Sequence, residues 1–168
     1  MKKLKLFIVF LTICYNSFGQ VQTDIKDGVT YIIPNIENLI SLCNCTEDQF
    51  MNIMTKYHYS DNESDAQWIK CMASIDNYLV HAVTNFDYYY KGGVIISWHP
   101  KNEMYPKSSV SEILRRLRPH FMRNEDDTDF FAFNYKGNAY GVMMVNDGNF
   151  YIIRTSNLGN SDSRLSEL

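Results

Sequence analysis

Four histidines and four cysteines are the residues of this 168-residue chain best able to do chemistry, and their spacing joins none of them into a recognisable centre. His58, His81, His99 and His120 stand far apart, so no two share a helix face at ligand spacing and no His-Glu-x-x-His is present. His58 reads as a helix terminator, His81 as a packed or partly exposed strand residue, and His99 and His120 as members of proline-flanked surface loops. No metal site is expected, because no second Cys or His pair stands at ligand spacing. Cys43, Cys45 and Cys71 would supply, in an oxidising compartment, one disulfide and one spare thiol. Cys43 and Cys45 are too close in sequence to bridge comfortably, which makes Cys45–Cys71 the expected pair, with buried free thiols as the alternative.

Nucleophilic and phosphate chemistry find as little support. No Gly-x-Ser-x-Gly turn exists to raise a serine nucleophile, and a reactive cysteine needs an exposed thiol of low pKa. Asp126, Asp127 and Asp129 read as a solvated turn and not as a paired acid and base. The glycine-containing turns lead into no helix, so they cradle no phosphate. No motif implies a cofactor.

Two clusters point to recognition instead. Arg115, Arg116, Arg118 and Arg123 lie close in sequence; on a helix 115 and 118 come together while 116 points elsewhere. The plainer reading is a solvated helix face, and the sharper one is a contact for an acidic partner. Tyr88, Tyr89 and Tyr90 are consecutive, so in a strand at least one faces away from the core. Trp98 would extend the same patch, since Tyr and Trp suit binding surfaces; the alternative is a two-sided core. Candidate binding residues are therefore Tyr88, Tyr89, Tyr90, Trp98, Arg115 and Arg118.

The elements that must position them follow from pattern. Val29 to Ile33 is a β-branched run ended by Pro34, and Ile36, Leu39, Ile40 and Cys43 recur at helical spacing. Thr46 and Gln49 form a capping box that opens a second helix, which His58 ends in the left-handed conformation. Tyr59 to Asp65 reads as a polar loop and Gln67 to Ala73 as a strand. Residues 75–86 read as a second strand, with a helix on the stripe Ile75, Leu79, Val80, Val83 and Phe86 as the alternative. A hairpin follows, in which Tyr88-Tyr89-Tyr90 turn through Lys91-Gly92-Gly93 into Val94 to Trp98. Ser109 and Glu112 are expected to cap a helix carrying Val110, Ile113, Leu114 and Leu117 inward until Pro119 stops it. Asp129 to Tyr135, Ala139 to Val145 and Phe150 to Arg154 form the last meander. The fold class predicted is α+β: an antiparallel sheet of two meanders with helices on one face. An echo between Tyr90-Lys91-Gly92-Gly93 and Tyr135-Lys136-Gly137-Asn138 is either the trace of a duplicated helix-plus-sheet unit or two hairpins obeying the same turn rules.

The ends and the charge bound the rest. Lys2, Lys3 and Lys5 precede the apolar run Leu6 to Cys14, and Ser17-Phe18-Gly19 offers a cleavage site, so residues 1–19 read as a secretory leader. Lipid attachment at Cys14 is disfavoured by the bulky Ile13 before it. Residues 20–155 are expected to form one domain, beginning with a loose polar segment at 20–28, and residues 156–168 a polar, disordered tail. Without the leader the chain keeps 13 basic against 19 acidic residues, a net charge of about -6, which argues against nucleic acid as a partner. No stretch of the mature chain is long and apolar enough to span a membrane. The expectation is an exported, periplasmic or secreted, non-catalytic domain of the bacterial envelope that binds another protein, an immunity protein inhibiting an antibacterial toxin being one concrete version. Its alternative is a small periplasmic hydrolase or ligand-binding enzyme whose site assembles only on folding.

Overall fold

A computed structural model describes residues 21–26, 28–62, 67–74, 77–85, 93–98, 107–146 and 151–168. The expected leader at 1–19, Cys14, Tyr88, Tyr89, Tyr90 and His99 lie outside the described residues. The chain begins with a hairpin, β1 (Thr23–Lys26) and β2 (Val29–Ile32), where a loose segment is expected from sequence. Asn35 then caps α1 (Ile36–Cys43) by accepting the Asn38 backbone N–H at 2.8 Å. Thr46 and Gln49 form the expected capping box of α2 (Glu47–Lys56), each accepting the other's backbone N–H. His58 follows at φ 57°, the left-handed terminator read from the sequence.

Eight strands make the main sheet: β3 (Ser60–Asn62), β4 (Gln67–Ser74), β5 (Asn77–Asn85), β6 (Gly93–Trp98), β7 (Phe121–Glu125), β8 (Thr128–Tyr135), β9 (Asn138–Asn146) and β10 (Tyr151–Asn160). Their spatial order is β3-β4-β5-β6-β10-β9-β8-β7, and every pairing is antiparallel. Two four-strand meanders thus join at their last strands, β6 against β10. Each is preceded by a helix, α2 for the first and α3 (Lys107–Leu117) for the second. The fold is α+β with antiparallel sheets, and its topology repeats a helix-plus-meander unit. The sequence echo does not mark that repeat: Tyr135–Asn138 turns between β8 and β9, whereas residues 90–93 lead into β6, one hairpin later in their own meander. At the β8–β9 turn Lys136 (φ 48°) and Gly137 (φ 81°) both adopt the positive φ that a two-residue hairpin loop needs.

Strand alternation decides which face is buried. Val94, Ile96 and Trp98 of β6, Ile153 of β10, Tyr140 and Val142 of β9 and Phe131 and Phe133 of β8 are buried with Leu39, Leu42, Phe50, Met54, Ile113 and Leu117 of the helices. The helix α1 rests on the β6–β10 junction. Side chains on the opposite face, such as Ile95, Ile152, Met143 and Phe130, are half-buried.

Several sequence expectations are corrected. Residues 60–62 form a short edge strand and not loop, and Phe121–Glu125 is a strand that the pattern did not reveal. The third helix starts at Lys107, placing Ser109 inside it and not at its cap. The tail is ordered, since β10 runs on to Asn160 and residues 161–168 dock on Asn134. There the backbone of β8 donates from Asn134 N to Ser166 O and accepts from Leu168 N, both at 3.0 Å, beyond the point where β7 stops pairing. The Asn134 carboxamide donates to the Asp162 and Leu165 carbonyls at 2.7 and 2.6 Å. Four hydrogen bonds to one buried asparagine hold a segment whose composition alone suggests disorder.

Candidate interaction site

The Arg cluster resolves into distinct roles once α3 is placed. Ile113 and Leu117 point into the core, and Val110 packs against it half-buried, so the opposite side of the helix faces solvent. Arg116 reaches across to form an ion pair with Glu37 of α1, clamping two helices together. Arg115 pairs with its own helix neighbour Glu112 at 2.6 Å, and that guanidinium holds the Glu112 carboxyl below the usual range. Arg118 is exposed and has no ion-pair partner among the described residues. Arg123 pairs with Glu125 at 2.7 Å and lies over the Phe130 ring, 4.4 Å from its centroid, on the other face of the sheet.

Arg115 and Arg118 line a groove of about 710 Å3 between α3 and the sheet edge. Leu114, Phe121, Phe131 and Asp129 complete its walls. The Phe121 ring stands edge-on to Phe131 with centroids 5.9 Å apart, yet remains 49% exposed. Met122, at the bulge that follows, is 58% exposed. Asp129 is fixed by the Asn124 carboxamide, which donates at 2.8 Å across the β7–β8 pair. All of β7 is exposed, and among the described residues it pairs only with β8. The groove therefore runs beside a free strand edge and combines cations, aromatic surface and unpaired backbone groups, which is what an extended peptide engages when it adds a strand.

The other sequence candidates go elsewhere. Trp98 is not surface: it is 1% exposed and packs on Tyr151 at 5.5 Å, because alternation along β6 turns it to the face carrying α1. His120 is not in an exposed loop; it is buried in a 3-10 turn, with Nδ1 3.0 Å from Ser166 Oγ, and burial lowers its pKa. The Cys45–Cys71 disulfide is not formed. Cys45 keeps a free thiol that donates to the Ser41 carbonyl at 3.3 Å. It follows Asn44, whose carboxamide bonds Tyr140 of β9, while Cys71 belongs to β4, four strands away. At about 4.8 Å per strand that is roughly 19 Å, well beyond the ~7 Å that a disulfide spans.

A buried polar group escaped the sequence reading altogether. Tyr59 Oη accepts the Ile32 backbone N–H at 2.9 Å and sits 2.9 Å from His81 Nδ1. Lys70 donates to the Tyr57 carbonyl and places its ammonium 4.8 Å from the Tyr59 ring centroid. Burial, with a smaller contribution from the Lys70 charge, pushes the His81 pKa down to about 3, and burial pushes the Tyr59 phenol up. The phenol thus keeps its proton and the imidazole stays neutral, so the hydroxyl donates to Nδ1 inside the core. The register of β4 with β5 is what puts Lys70 opposite His81. Among the described residues no three His, Cys, Asp or Glu side chains gather as metal ligands, and no helix is long and apolar enough to cross a membrane. No protein-family model, curated protein or solved structure matches this chain.

Proposed function

We propose that this chain is an exported, non-catalytic protein-binding domain of the bacterial envelope whose partner docks at the corner of α3 and β7. The observation that carries the reading is the free edge of β7 beside a groove lined by Arg115, Arg118 and the half-exposed Phe121. The occupant is an extended segment of another protein bearing acidic and apolar side chains. Its backbone pairs with β7, its carboxylates meet the two guanidiniums, and an apolar side chain covers Phe121. A second copy of this chain fits less well. Antiparallel self-pairing centred on β7 sets Arg123 against Arg123, and like charges directly opposite are destabilising. Inhibition of an antibacterial toxin is one form of this function, in which the docked segment belongs to the toxin. Cleavage after Gly19 is part of the proposal, and sequencing of the mature N-terminus checks it.

The rival reading, a small hydrolase, needs an activated group in a cleft. Cys45 lines the other large cleft, but burial raises its thiol pKa and Ser41 holds its proton. That is the reverse of an activated nucleophile.

The test is capture from the native envelope fraction at low and moderate salt, using the wild-type chain and Arg118→Glu. One stoichiometric partner is expected with wild type, weakened by salt and lost with the variant. A partner retained equally by Arg118→Glu, or no stoichiometric partner at all, overturns the proposal.

A further inference from the structure

A second cleft, of about 760 Å3, lies between α1, α2 and the turn joining β8 to β9, within the roughly 300–1,000 Å3 of small-ligand sites. Its charged residues are already engaged or peripheral. Glu37 is bound by Arg116, and the exposed Lys136 places its ammonium 5.1 Å from the Tyr135 ring centroid. What remains available is uncharged. The Ser41 hydroxyl and the Asn52 and Asn138 carboxamides have no hydrogen-bond partner among the described residues, and Gln49 uses only its oxygen, in the capping box. Ile40, Ile53 and the ring of Tyr135 supply apolar surface between them.

The wall that carries these groups is rigidly tied. Asn44 donates to both the Ile40 carbonyl and Tyr140 Oη and accepts from Asn157, which pins α1 to β9 and β10. The N-terminus of α2 already has two of its backbone donors occupied by the Thr46–Gln49 box, and the first turn of α1 carries the acidic Glu37. An anion therefore finds neither a free cation pair nor a free set of amides. A carboxamide presents a donor and an acceptor side by side, which matches neighbouring hydroxyls of a sugar. The apolar atoms of Ile40, Ile53 and the Tyr135 side chain beside it offer contact to the C–H groups of a pyranose.

From these features the geometry points to a binding site for a neutral oligosaccharide in the cleft of α1, α2 and the β8–β9 turn, lined by Ser41, Gln49, Asn52, Asn138 and Tyr135. The site is separate from the α3–β7 corner, and its ligand leaves that corner free.

Calorimetry and amide-shift titration of the full mature chain test it, with triacetylchitotriose, cellotriose and maltotriose as probes and inorganic phosphate as the charged control. At least one trisaccharide is expected to bind saturably, with shifts centred on Ser41, Asn52 and Asn138. Asn138→Leu or Asn52→Leu, both outside the core, should weaken that binding about tenfold or more while leaving the fold intact. Phe121→Asp should leave it unchanged. No saturable binding of any of the three probes up to about 10 mM, binding untouched by both leucine variants, or displacement by phosphate overturns the assignment.

Discussion

β3 and β7 close opposite ends of one sheet, and the two ends are built differently. The first is three polar residues long, Ser60–Asn62, the short and hydrophilic edge that discourages pairing with other chains. The second runs for five exposed residues and shows Phe121 and Met122 to solvent, with Arg115 of α3 and Arg118 of the turn that follows it alongside. Both interiors hold buried polar groups: Lys70 and His81 beneath Tyr59 in the first meander, Asn134 in the second, beside a stacked aromatic pair, Phe133 and Tyr140, with centroids 5.8 Å apart. One topology, used twice, thus yields one end with a short polar edge and one with an exposed apolar edge. Under the proposed function, recognition falls to the second half.

That contrast can be broken or sharpened by measurement. The largest expected effect is at Trp98, which belongs to the core shared by both halves. Trp98→Ala should lower unfolding free energy by about 3–5 kcal/mol in urea titration; a surface tryptophan would change it by less than about 0.5 kcal/mol.

The buried imidazole of the first half should make stability fall in acid. His81 titrates near 6.5 when unfolded and near 3 when folded, so below pH 6.5 the unfolded chain binds the proton that the folded chain refuses. Its contribution is complete above about pH 6.5 and is lost progressively as pH falls toward 3. Between pH 6 and 4 the expected loss is about 2–3 kcal/mol, from roughly 1.4 kcal/mol per pH unit. His81→Gln should flatten that slope, and an unchanged slope would show that the imidazole is not buried neutral.

A smaller effect is expected in the second half. Truncation after Asn160 removes the partners of the Asn134 backbone and carboxamide, and should cost about 2 kcal/mol through buried groups left unsatisfied. A truncated chain as stable as the full one would mean that residues 161–168 do not dock as observed.

Which parts were legible follows from where each residue's signal comes from. The α2 start and end were readable because capping and termination are local: Thr46 and Gln49 are three residues apart, and His58 needs only its own φ. The separation of Arg115 and Arg118 from Arg116 was readable from helical geometry alone. Trp98 was not, because strand alternation gives two faces without naming the buried one. β7 hid because Phe-Met-Arg-Asn-Glu, at a sheet edge with a bulge after Phe121, has no alternation to display. Cys45 and Cys71 were misread because sequence separation carries no strand order, and it is strand order that sets them apart. The groove itself depends on α3 lying beside β7, a tertiary fact.

The contrast between the two edges is tested most directly by a photo-crosslinking amino acid placed at Met122 in β7 and, separately, at Asp61 in β3, with each variant expressed in its native envelope. The expected result is one defined protein adduct from position 122 and none from position 61. Adducts of equal yield from both edges, or an adduct from position 61 alone, would contradict the assignment of recognition to the second half.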